Sequence, residues 1–96
     1  MEFADRLREA MRKENLSQKE LVTRCNYHSD EVGVRLDAAS LSRYLKGVEQ
    51  PKQKRITLLA KALNVDELWL KGLEMSEDIL KIRNYYAFTT EPKENG

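Results

Sequence analysis

The chain has 96 residues, 17 of them Lys or Arg and 16 Asp or Glu, and its formal net charge of +1 says nothing by itself about a nucleic-acid partner; the length suits one small domain. Cys25 is the only cysteine, which excludes an internal disulfide and fits a reducing compartment. No apolar run is long enough to span a membrane and no signal peptide opens the chain, so the expected location is the cytoplasm.

The expected secondary structure is helical almost throughout. Phe3, Leu7, Ala10 and Met11 recur at helical spacing and predict a first helix from Glu2 to Lys13, with Asn15 able to take the left-handed conformation that ends it. Ser17 and Glu20 form a Ser-x-x-Glu capping box and start a second helix, which is expected to run to Cys25. Leu16 and Leu21 flank that cap at the spacing of a hydrophobic staple. Asp37 is a strong N-cap for a further helix, flanked in the same way by Leu36 and Leu41 and closed by Gly47. After Pro51, the stripe Ile56, Leu59, Ala60 and Leu63 predicts a helix over 52–63. Asp66 caps a short helix that Gly72 closes, with Leu68 and Trp69 sealing the core. A sixth helix is expected over 76–86, with Ile79, Ile82 and Tyr86 on one side and a frayed polar end from Thr89.

Charge is unevenly placed. Between Arg35 and Lys61 there are seven basic residues and two acids, whereas residues 73–96 carry three basic residues against five acids. A basic middle and an acidic end suggest one surface that faces an anion.

The helix after Asp37 has the two faces that a groove-reading helix requires. Leu41, Tyr44 and Leu45 lie on one side, with Ser40 small enough for close packing. Ala38, Ala39, Ser42 and Arg43 lie on the other. Small residues permit close approach to base edges or contact with a thymine methyl, and an arginine can donate two hydrogen bonds to guanine. Gln18, at the start of the second helix, sits where side chain and helix N-terminus can both meet a phosphate. Lys46, Lys52, Lys54 and Arg55 add positive charge for further phosphate contacts.

The segments "LSQKELVTRC", "DAASLSRYLKG" and "PKQKRITLLAKALNVDELWL" resemble the lambda-repressor-like (XRE or Cro-type) helix-turn-helix domains over residues 3–72. The resemblance implies an all-α, five-helix domain that binds operator DNA, usually as a homodimer. It places the base-reading residues at Ala38, Ala39, Ser42 and Arg43 and the phosphate-binding glutamine at Gln18. The sequence departs from the pattern in three places. Asn26 stands where the family usually has a glycine, and nine residues, Tyr27 to Arg35, intervene before Leu36 and Asp37. Asn15 replaces another common glycine. Met11 and Leu45 stand where many members place an Arg–Glu pair, and since both are apolar they are expected to touch.

The organisation expected is therefore a helix-turn-helix domain over residues 1–72 with an insertion at 27–35, then a C-terminal helix and tail over 73–96. Lengthening a loop costs only about 0.6 kcal/mol per doubling, so the helix pair can survive the insertion. The insertion reads as a surface loop or as an element touching DNA or a partner, and as an extended arm or a short helical turn begun by Ser29. Asp30 and Glu31 would repel phosphate, so its tip is expected to point away from DNA, while His28 and Arg35 reach a backbone if the loop bends back.

Cys25 and His28 form Cys-x-x-His without a second pair, so no metal site is expected and Cys25 reads as a small buried residue. No nucleophile with an organising base and no Gly-rich phosphate loop is present; neither catalysis nor a cofactor or small-molecule ligand is expected. The function expected is sequence-specific binding of double-stranded operator DNA by a transcriptional regulator. It reads as a small phage or mobile-element type of repressor, too short to include a large effector or self-cleavage domain. The alternative is a protein-interaction module, antitoxin-like or adaptor, that reuses the fold. Ile79, Ile82 and Tyr86 either cover the bundle or meet a second copy of the chain.

Overall fold

The ladder of helix starts and stops written in the sequence is what the backbone follows. The computed structural model describes residues 2–72, and the expected helix over 76–86 lies outside them, as does the rest of 73–96. Six helices occur among the described residues: α1 (Phe3–Glu14), α2 (Gln18–Tyr27), α3 (Ser29–Val32), α4 (Ala38–Lys46), α5 (Gln53–Leu63) and α6 (Glu67–Lys71). The fold is all-α, with no strand among these residues. The expected count of five becomes six because the 27–35 stretch contributes a turn of helix, α3, closed by Gly33 at φ +92°.

Local chemistry accounts for most helix ends. Ser17 and Glu20 exchange both hydrogen bonds of the capping box, at 3.1 and 2.8 Å. The Asp37 carboxylate accepts from the Ser40 N–H at 2.6 Å, and Asp66 accepts from Leu68 and Trp69. Asn15 and Asn64 both take the left-handed conformation at helix C-caps, with φ of 58° and 60°. Asn64 was not foreseen as a stop. α2 runs to Tyr27, two residues past its expected end at Cys25, because the asparagine at position 26 is not in a left-handed turn but inside the helix.

The capping carboxylates carry a pH dependence. The Ser40 backbone N–H holds Asp37 below its ordinary value of 3.8, and hydrogen bonds from Ser17 hold Glu20 below 4.5. A carboxylate lowered on folding stabilises the native state above its unfolded value and loses that contribution as pH falls through the folded one. Helicity followed by circular dichroism should therefore hold down to the ordinary carboxylate range and decline below it. Asp37→Asn should remove part of that acid sensitivity while keeping a cap.

One core joins the helices. α1 packs against α4, α5 and α6, while α2 packs against α4 and α5. Leu7, Leu21, Leu41, Leu58, Leu59 and Leu70 are fully buried there; each contributes about 1.5–3 kcal/mol by leaving water. The Phe3 ring meets Tyr44 edge-on, with centroids 6.4 Å apart. Met11 is buried and Leu45 packs against the same core, an apolar solution at positions 11 and 45. Arg6 lies over the Trp69 ring and donates to its carbonyl at 2.8 Å, tying α1 to α6.

Cys25 is fully buried and free, and burial pushes its thiol up to about 12. The thiolate is the reactive form. Native protein should thus resist a thiol reagent at neutral pH and react at once in denaturant; rapid native labelling would show that this part of α2 opens.

Candidate nucleic-acid interface

α4 separates its residues by face. At about 100° per residue, Ala38, Ala39, Ser42, Arg43 and Lys46 fall within an arc of roughly 140°. Ala38, Ala39, Arg43 and Lys46 are exposed and Ser42 is partly exposed. Ser40, Leu41 and Tyr44 are buried on the opposite arc, and Leu45 packs against the core. The exposed face carries no large apolar group, as the sequence pattern predicts.

Arg43 is held rather than loose. Its Nε donates to Glu49 Oε1 at 2.6 Å and its Nη2 to Ser40 Oγ at 3.1 Å. The carboxylate bond raises the guanidinium's pKa further, so it stays cationic. Nη1 has no acceptor among the described residues. Glu49 is a functional candidate that sequence reading missed. It lies six residues on, beyond the Gly47 turn, and no helical periodicity links it to Arg43.

Lys46, Lys52 and Lys54 are exposed and make no ion pair among the described residues. Lys52, Lys54 and Arg55 rim one groove of about 240 Å³ between α4 and the start of α5. Lys52 is the N-cap of α5 and gives it no side-chain hydrogen bond, which leaves the first N–H groups of that helix open to an outside acceptor. Arg55 differs from the lysines. It is half-buried and donates to the Arg35 carbonyl at 3.0 Å, the Tyr44 hydroxyl at 3.0 Å and Ser40 Oγ at 3.4 Å. Gln18 is exposed in the first turn of α2.

A helix-turn-helix family model matches residues 7–70, about two thirds of the chain. The chain belongs to the lambda-repressor-like helix-turn-helix family. It is a family of DNA-binding transcription regulators. No curated protein matches the chain.

Within this helix-turn-helix domain the 27–35 stretch is tied at both ends. The Asn26 side chain donates to the Leu36 carbonyl and accepts from the Leu36 N–H, both at 2.9 Å. One amide thus closes the excursion as a pair of strand hydrogen bonds would. Glu31 turns onto α5, pairing with Lys61 at 2.9 Å and His28 at 3.4 Å, and Lys61 holds its carboxyl below the usual range. Arg35 donates to Ser29 Oγ at 3.4 Å. The sequence signal for the clasp was only the asparagine itself, read as a substitute for glycine. Among the described residues no helix is long and apolar enough to cross a membrane, and no group of three His, Cys, Asp or Glu is placed to hold a metal ion.

Proposed function

We propose that this chain is a sequence-specific operator-binding repressor of the small phage or mobile-element type, with α2 and α4 as the motif pair and α4 in the major groove. Ala38, Ala39, Ser42 and Arg43 meet base edges; Gln18, Lys46, Lys52, Lys54 and Arg55 meet phosphates. The observation that carries this reading is the exposed small-residue face of α4 together with Lys46, Lys52 and Lys54, which are exposed and make no ion pair among the described residues. In a helix-turn-helix protein such a face fits the groove, and the cations supply affinity by releasing counterions. A homodimer, with Ile79, Ile82 and Tyr86 as its contact, would read two half-sites about one DNA turn apart.

Selection of bound duplexes from a random pool tests the reading. A palindromic motif would support both specificity and the dimer, whereas a pool that enriches nothing would sink the proposal. With four cationic phosphate contacts per chain, Gln18 being neutral, the logarithm of affinity should fall with the logarithm of salt at a slope no steeper than about −3.6.

A second reading, a protein-interaction module, has one observation in its favour. Tyr27 is 85 % exposed at the end of α2, beside a shallow groove along Leu16, Lys19, Thr23 and Arg24. On that reading Tyr27→Ala would abolish partner binding, and Arg43→Ala with Lys54→Ala would leave it intact.

A further inference from the structure

The stretch 27–35, read from the sequence as an insertion, does something for the surface beside it. Its last residues, 33–35, are irregular and meet the start of α5. There the Arg35 carbonyl accepts from Arg55 Nε at 3.0 Å. From the other side, Arg55 Nη1 donates to the Tyr44 hydroxyl and to Ser40 Oγ. Two of the three guanidinium nitrogens are therefore pinned, one by the insertion and one by α4. The third, Nη2, has no acceptor among the described residues. The groove beside Arg55 is walled by Val34 of the insertion and Tyr44 of α4, with Lys52 and Lys54 on its rim. Glu49 and Gln50 also line it, but the Glu49 carboxylate is taken up by Arg43.

Charge along the insertion is sorted to match. Glu31, its acid nearest α5, is spent on Lys61 and His28. Lys61 is seven residues beyond Lys54, about 10 Å along the helix. At the other end Gly33, at φ +92°, lies beside Lys54: a Cβ there would be in ordinary contact, 3.8 Å from the ammonium nitrogen. The Glu31 charge is thus neutralised and set back, while a carbonyl supports a cation. A guanidinium already fixed in one rotamer loses little further freedom when it binds an oxyanion, and its planar edge suits a phosphate.

We propose that the insertion holds Arg55 in place, its Arg35 carbonyl acting with Ser40 and Tyr44, so that Arg55 Nη2 and the ammonium groups of Lys52 and Lys54 seat one backbone phosphate of the bound duplex. The proposal rests on the reading of α4 as a duplex reader. It gives the insertion a positioning role and makes Arg55 a contact of fixed geometry, unlike the exposed lysines around it.

The test uses the full chain and the duplex recovered by selection, with each phosphate in turn replaced by a neutral methylphosphonate. One backbone position should cost the unmodified protein roughly tenfold in affinity. The same replacement should cost Arg55→Gln about threefold or less, since the two changes remove one interaction. It should cost Arg43→Ala the full tenfold. Arg55→Lys should restore the salt slope but only part of the affinity, because a lysine cannot be pinned by the Arg35 carbonyl and reach the phosphate together. A chain with two glycines in place of residues 29–34 should lose the coupling while remaining folded by circular dichroism. If that chain does not fold, Tyr44→Phe, which removes one pin without changing charge, should weaken the coupling instead. Full additivity of every methylphosphonate with Arg55→Gln would overturn the proposal, as would full coupling in folded Tyr44→Phe. Inorganic phosphate exchanged for chloride at constant ionic strength should leave the coupling unchanged; displacement of the duplex would assign the groove to the free ion and overturn the proposal too. A pool that enriches nothing removes the underlying reading and this one with it, whereas a bound duplex with no coupled phosphate removes this one alone.

Discussion

Asn26→Ala should lower the free energy of unfolding by about 2–4 kcal/mol, measured as a shift in the urea midpoint with an unchanged slope. The side chain satisfies both polar groups of Leu36, each at 2.9 Å, and Leu36 is itself 2 % exposed. Alanine leaves a donor and an acceptor unpaired next to the core, and each orphaned group costs about 1–3 kcal/mol. Both bonds are partly buried, so water recovers some of that loss and the lower half of the summed range is the sensible expectation. The Leu36 amide should also exchange its hydrogen faster than neighbouring core amides. Asn26→Asp is the sharper variant, because it keeps the acceptor for the Leu36 N–H and turns a second oxygen against the Leu36 carbonyl. A change within about 0.5 kcal/mol for Asn26→Ala, the size usual for an inert surface site, would show that the clasp does not hold the stretch closed.

That clasp also marks where sequence reading stopped. Devices that act within one helical turn were legible from residue types alone. Ser17 with Glu20, Asp37 with Ser40, and the left-handed stops at Asn15, Gly47 and Gly72 all involve neighbours a few positions apart. The buried stripe of α1 and the two faces of α4 followed from the 3.6-residue repeat for the same reason. Polar pairs that meet across loops carry no such period. Asn26 finds Leu36 ten residues away, and Arg55 finds the carbonyl of Arg35 twenty residues away. The run Lys52–Arg55 therefore read as equivalent positive charges. In the fold the two lysines make no ion pair among the described residues, and the arginine becomes a joint between three segments. The resemblance to the helix-turn-helix family pointed to the surface of α4, and what the 27–35 stretch touches is shown by the fold.

Arg43→Ala should reduce discrimination at one base position roughly ten- to a hundredfold, with a smaller loss of affinity for unrelated duplexes. The reason lies in how the arginine is held. Glu49 takes its Nε at 2.6 Å and Ser40 takes Nη2 at 3.1 Å, so the side chain is braced along the exposed face of α4, and Nη1 has no acceptor among the described residues. Glu49 is itself an acid close to the proposed phosphate contacts, and its removal has two opposed consequences. Glu49→Gln relieves repulsion with the backbone, so affinity for any duplex should rise modestly, most clearly at low salt. It also weakens the brace, so preference for the selected base should fall. The two effects separate in a double-mutant cycle. In an Arg43→Ala background, Glu49→Gln should still raise general affinity but have no discrimination left to lose. If Arg43→Ala recovers the same motif from the random pool as the unmodified chain, the arginine does not read a base, and the Glu49 pair is a surface ion pair of the ordinary kind, worth little to either stability or recognition.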